Sequence, residues 1–105
     1  MSISQVQQDN VGVVFMSTIE DQDGATVDLS SATLIRFIFE KPDGTLLTVN
    51  GEKATDGTDG KVKYVVQAGD LSQVGLWRYQ TLITLPFAEL YSNISKFKVL
   101  GNLPI

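Results

Sequence analysis

Alternation of apolar and polar side chains with a period of two constrains this chain more than any other feature. From Thr33 to Glu40 the sequence reads Thr-Leu-Ile-Arg-Phe-Ile-Phe-Glu. Ile35, Phe37 and Phe39 fall on one face, and Leu34, Arg36, Ile38 and Glu40 on the other. A helix would scatter these residues around its circumference, so the segment is a strand with one strongly apolar face. Lys41-Pro42-Asp43-Gly44 follows. Proline presets φ and glycine accepts positive φ, so the chain turns there and Leu46 to Val49 returns as a hairpin partner.

The same period recurs along the chain. Val13 to Glu20 reads as a strand with Phe15 and Ile19 inward. Lys61 to Gln67 places Val62, Tyr64 and Val66 on one face. Gly75 to Leu85 is the longest alternating run, with Trp77, Tyr79, Ile83 and Leu85 together and Pro86 at its end. Ser92 to Leu100 turns Phe97 and Val99 inward. The polar, glycine-rich stretch Asn50 to Gly60 reads as a loop. Helix-like pieces are short: Ser30 to Ala32, Asp70 to Gln73 and Phe87 to Tyr91. Six or seven strands separated by turns, with no long helix, predict an all-β fold. The expected architecture is one domain over residues 1–105. It is an immunoglobulin-like antiparallel β-sandwich of about seven strands, with Trp77, Tyr79, Phe37, Phe39, Tyr64 and Phe97 as core anchors.

Composition removes whole classes of chemistry. The 105 residues include no histidine and no cysteine. That excludes Ser-His-Asp and Cys-His catalysis, zinc sites of the usual ligand type, iron–sulfur clusters and disulfides. Eight basic against twelve acidic residues leave a net charge of −4, so no cationic excess exists to replace the counterions of a nucleic acid. No apolar run approaches the roughly 20 residues that span a bilayer. The start, Met-Ser-Ile-Ser-Gln-Val-Gln-Gln-Asp-Asn, has neither the basic nor the apolar region of a signal peptide. Neither nucleic acid nor membrane is expected as a partner, and the chain is expected to be made and kept in the cytoplasm or to leave by a route that needs no signal.

Asp70-Leu-Ser-Gln-Val-Gly-Leu-Trp-Arg-Tyr79 chooses the sandwich over a barrel. Where immunoglobulin-type chains cross between sheets, an aromatic residue shortly after a glycine locks the corner and begins strand F. Asp70, Leu71, Gly75, Trp77 and Tyr79 fit that layout. Trp77 takes the aromatic position, and Tyr79 the one where antibody domains carry cysteine.

Taken in order, these pieces resemble a known family. They are DQDGATVDLSSATLIRFIFEKPDGT from Asp21 to Thr45, DGTDGKVKYVV from Asp56 to Val66, and DLSQVGLWRYQTLI from Asp70 to Ile83. The chain is similar to the N-terminal immunoglobulin-like domain of the baseplate upper protein of tailed phages, which also occurs in other phage tail and fibre proteins. The resemblance implies a virion structural protein, assembled in the host cytoplasm and acting by packing against other virion proteins. It also implies a homo-oligomer or a place in a larger assembly. Members of the family continue into helical linkers or receptor-facing domains, whereas this chain ends at Ile105. The expectation is therefore the attachment module itself, a tail or baseplate adaptor or a head decoration protein.

The remaining candidates divide between chemistry and surface. Asp21-x-Asp23-Gly24 and Asp56-x-x-Asp59-Gly60 have oxygen ligands at short spacing, as calcium loops do, but Asp-Gly is also the ordinary turn pair. Glu20 and Glu40 are candidates for pairing as in a glycosidase, but both sit at strand ends, where charges more often guard an edge. No cofactor is called for, and an enzyme is not expected. Lys61 with Lys63, and Lys96 with Lys98, form two basic stripes. Leu34, Ile38, Val65 and Leu82 lie opposite the core faces and form the candidate interface. Ile3 to Val6 and Leu100 to Ile105 are candidates for adding to a neighbour's sheet. The alternative function is a carbohydrate- or cell-surface-binding sandwich, for which Phe87 and Tyr91 are the loop aromatics available.

Overall fold

The computed structural model describes residues 5–21 and 23–103. They form an all-β sandwich of nine strands: β1 (Gln5–Gln7), β2 (Val14–Thr18), β3 (Leu34–Glu40), β4 (Leu46–Asn50), β5 (Glu52–Lys53), β6 (Lys61–Val65), β7 (Gly75–Leu85), β8 (Ala88–Tyr91) and β9 (Ser95–Leu100). One sheet has the order β1-β9-β7-β3-β4, with β8 also pairing β7, and the other has the order β2-β6-β5. These are the immunoglobulin layers, strands G-F-C facing B-E-D, with β4 beside strand C. Pairing is antiparallel except between β1 and β9, where Gln5, Val6 and Gln7 run parallel to Lys98, Val99 and Leu100.

Nine strands replace the expected seven for local reasons. Asn50 to Gly60 is not all loop: β4 runs through Asn50, and Glu52 and Lys53 pair with Lys63 and Val62. Phe87 to Tyr91 is no helical piece, because Pro86 and Phe87 make a tight turn from which Ala88 returns opposite Leu85. The expected last strand from Ser92 is broken. β8 and β9 pair successive halves of one edge of β7, and the chain bulges between them. At the break the Thr81 amide donates to the Ser92 hydroxyl at 2.8 Å, which takes the place of a ladder carbonyl. The chain ends also depart from expectation. Val6 is buried, and Gln5 to Gln7 pair within the chain rather than standing free for a neighbour. Ile3, Ser4, Pro104 and Ile105 lie outside the described residues.

All six expected anchors are buried, Trp77 and Phe37 completely. Phe39 is their hub, with ring centroids of Phe15, Phe37, Tyr64, Trp77, Tyr79 and Phe97 all within 6.4 Å. Phe15 on β2 meets Tyr79 on β7 edge-on at 5.3 Å, joining the sheets where antibody domains place their disulfide.

The corner before β7 is held by side chains. Trp77 Nε1 donates to the carbonyl of Gln73 at 3.0 Å, four residues upstream, as the tyrosine of an immunoglobulin corner bonds back to its own backbone. Asp70 does not begin a helical turn. It closes a tight turn, accepting the Gln67 amide at 2.9 Å and the Tyr64 hydroxyl. Gly75 has φ 139°, and a Cβ there would lie 2.8 Å from the Pro42 ring, so the corner needs glycine on two counts.

Candidate interaction surfaces

Strand alternation and layer membership decide what each face presents. Leu34, Ile38 and Leu82 lie half-buried on the outer face of the β4-β3-β7 sheet. Val65 is also half-buried but belongs to β6, and it looks out from the opposite layer beside Val14. The four residues expected to form one patch are therefore split between two faces. Periodicity reports inward or outward; it does not report which layer a strand joins. The basic stripes separate in the same way. Lys61 and Lys63 face out from β6, with Lys63 3.8 Å from Glu52, while Lys96 and Lys98 face out from β9.

The outer face of the larger sheet mixes exposed apolar side chains with polar and charged ones around one ion pair. Arg78 Nε donates to Glu40 Oε1 at 2.7 Å, and its terminal nitrogen lies 2.6 Å from the same oxygen. The register lines up Leu46, Glu40, Arg78 and Lys96 across four strands. Beside them Ile38, Leu46 and Ile94 border a depression of about 140 Å³. Leu46 is 64% exposed, and Leu76 and Ile94 are exposed by more than half. Phe87, 80% exposed, caps the β7–β8 hairpin, and Tyr91 stands out from β8. Leu46, Leu76 and Ile94 were not among the expected interface residues. Leu76 alternates with the inward set and was legible as outward; Leu46 and Ile94 sit at strand ends, where alternation says little.

The acidic loops work as turns. Asp21 Oδ1 accepts the amides of Asp23 and Ala25 at 2.9 and 3.0 Å. Asp59 takes the Lys61 amide on one oxygen and the Thr55 hydroxyl on the other. The Thr58 hydroxyl and then its amide hold the Asp56 carboxyl below the usual carboxylate value. Among the described residues no group of three or more acids gathers as a metal cage. Glu40 is taken by Arg78 on one sheet, whereas Glu20 bridges to Thr26 beyond the end of β2. Glu40 borders a depression beside Arg78 and Ile38, and Glu20 a separate one beside Thr18 and Tyr91.

A polar groove lies along the outer edge of β2. Its first part, about 320 Å³, is lined by Met16, Ser17, Thr18, Lys61, Tyr79, Ser92, Asn93 and Ser95. A second part of about 290 Å³ adds Glu20, Asp21, Gly24 and Tyr91 and shares Thr18, Ser92 and Asn93. At its floor the hydroxyls of Ser17 and the fully buried Thr81 are 2.8 Å apart, and the Tyr79 hydroxyl donates to the Met16 carbonyl at 3.2 Å.

Two buried phenols tie this interior to alkaline pH. Burial, and then the hydrogen bond to the Asp70 carboxylate, hold Tyr64 well above the ordinary phenol value of 10.0; burial also raises Tyr79. The folded state keeps both protonated, while the unfolded chain loses these protons near the ordinary value. Their stabilising contribution is full below that value and is lost progressively as pH rises from it toward the raised folded-state values. The melting temperature is expected to hold up to about pH 9 and fall above about pH 10. The Tyr64→Phe/Tyr79→Phe double variant is expected to flatten that alkaline limb, as read by circular dichroism melts across pH.

The chain matches no family model and no curated protein sequence.

Proposed function

We propose that the chain is a structural protein of a tailed-phage virion, an attachment or adaptor module of the tail or baseplate that works by packing against neighbouring proteins. One observation carries the packing part of this reading: Leu46, Leu76 and Ile94 stand exposed on one sheet face around the Arg78–Glu40 pair. Apolar side chains grouped in this way mark contact surfaces. The virion assignment rests on the resemblance in motif order from Asp21 to Ile83. The reading contains no reaction, and its partners are other virion proteins or further copies of the chain.

Gold-labelled antibody to the chain, applied to purified particles of the encoding phage, tests the assignment. Label on the tail or baseplate is expected. Absence of the chain from particles, by labelling and by mass spectrometry, would remove the reading. The Leu46→Gln/Ile94→Gln variant tests the surface. Each change is expected to alter folding stability by no more than about 0.5 kcal/mol, because both side chains are largely in solvent. Incorporation into particles is expected to drop at least tenfold.

A carbohydrate-binding reading has one observation in its favour. Tyr91, 61% exposed, stands at the rim of a groove lined by Ser92, Asn93, Glu20 and Asp21, and an aromatic ring beside hydrogen-bonding groups suits a sugar face. Retention on immobilised polysaccharide, lost in Tyr91→Ala, would support that reading over packing.

A further inference from the structure

The backbone of β2 points to a more specific partner. The Val66 amide donates to the Val13 carbonyl and the Ile19 amide to the Gly60 carbonyl, both at 2.8 Å. Residues 13 and 19 are thus bonded toward β6. In an antiparallel ladder this direction alternates, so Val14, Met16 and Thr18 turn their amides and carbonyls to the opposite side. Among the described residues no strand pairs there. Of these groups the Met16 carbonyl holds the Tyr79 hydroxyl, and a carbonyl oxygen can accept a second bond. The strand reads Val-Phe-Met-Ser-Thr, without the charge or proline that usually guards an edge. The polar groove runs directly beside it.

We propose that the free edge of β2 is an acceptor site for one extended segment of another protein, which adds antiparallel as a fourth strand of the β2-β6-β5 sheet. This goes beyond the packing reading, because the edge of β2 belongs to the smaller sheet and lies apart from the Leu46, Leu76 and Ile94 face. Stacking argues for a single strand rather than a second copy. Phe15 places β2 over β7 and β9, with centroid distances of 5.3 Å to Tyr79 and 4.7 Å to Phe97. The larger sheet continues past β9 into β1, for which the smaller sheet has no counterpart among the described residues. A second copy brought edge to edge would press its own β1 and its Ser92 to Ser95 segment against the first. One strand lies on that ledge without such a collision.

The walls specify the strand's side chains. Residues opposite Phe15, Ser17 and Ile19 turn into the groove and meet the hydroxyls of Ser17, Ser92 and Ser95 and the Asn93 amide, so serine or threonine fits. Residues opposite Val14, Met16 and Thr18 join the outer face beside Val65, so β-branched apolar residues fit. Lys61 lines the groove at Thr18, whereas Glu20 and Asp21 border its far end. A basic residue therefore belongs opposite Glu20.

The probe is an acetylated, amidated heptapeptide, Lys-Thr-Val-Ser-Val-Thr-Val, titrated into the ¹⁵N-labelled full chain. Saturable shifts and slowed hydrogen exchange at the Met16 and Thr18 amides are expected. Binding is expected to weaken at least tenfold when the peptide's alternation is offset by one residue. The same loss is expected when the amide of its fifth residue, opposite Met16, is methylated, a control that leaves the protein untouched. Thr18→Pro, placed where the amide faces solvent, is expected to keep the fold and abolish binding. The proposal is overturned by equal binding of the offset or methylated peptide, by shifts at Thr48 and Asn50 on the open edge of β4, or by no binding at millimolar peptide. Self-association lost in Thr18→Pro would assign the edge to a second copy. Shifts at Tyr91 and Asn93 with an oligosaccharide but not with the peptide would assign the groove to a glycan. Either result overturns the strand proposal, while particle labelling reports on the packing reading separately.

Discussion

Trp77→Ala is expected to lower the folding free energy by about 3–5 kcal/mol, the usual cost of emptying a buried tryptophan site. The indole is fully buried, packs 5.6 Å from the Phe97 ring, and bonds to the Gln73 carbonyl that fixes the corner before β7. Each kcal/mol moves the melting temperature of a domain this size by roughly 4–8 °C, so the shift is far outside measurement error. Trp77→Phe separates the two contributions. It keeps a ring against Phe97 but loses the Nε1 donor, at a cost of about 1 kcal/mol for the bond in addition to lost volume. A Trp77→Ala variant with the parental melting curve would mean that the corner does not hold the sandwich together.

Phe39→Ala is expected to have a comparable or larger effect. Its ring lies among six others, and edge-on aromatic pairs contribute roughly 0.5–1.5 kcal/mol each beyond simple burial. The substitution opens a cavity between both sheets at the contact of Phe39 with Phe15, Tyr64 and Trp77. A loss of about 3–5 kcal/mol is a large share of the roughly 5–15 kcal/mol that holds a domain folded. The variant is therefore expected to unfold at low urea concentration, with its midpoint well below that of Phe39→Leu, which retains most of the volume. Equal midpoints for the two variants would contradict the placement of this ring at the centre of the core.

Much of this architecture was legible in the sequence because a half-buried strand records burial in every second residue. Ile35, Phe37 and Phe39 on β3, and Trp77 and Tyr79 on β7, could face only one core. The all-β class followed from them. The corner at Trp77 was legible because the spacing from Gly75 places an aromatic ring over the preceding turn. Short strands were not. Glu52 and Lys53 carry no alternation to read, and Ala88 to Tyr91 resembles a helical turn until Pro86 and Phe87 reverse the chain beside β7. Nor does alternation tell one outer face from another. Val65 and Ile38 look alike in sequence and emerge on opposite sides. The edge groove was invisible for a further reason: its walls, Thr18 and Asn93, are 75 positions apart and meet only because the two sheets stack.

Packing against neighbours requires that the outer face of the β4-β3-β7-β9 sheet be covered when the protein is in place. Hydroxyl-radical footprinting, comparing the free chain with the chain in purified particles, measures this directly. The oxidation rates of Leu46, Leu76 and Ile94 are expected to fall at least severalfold on assembly, while the buried Trp77 stays unreactive in both states. Equal rates at those three side chains, free and assembled, would contradict the claim that this face is the packing surface.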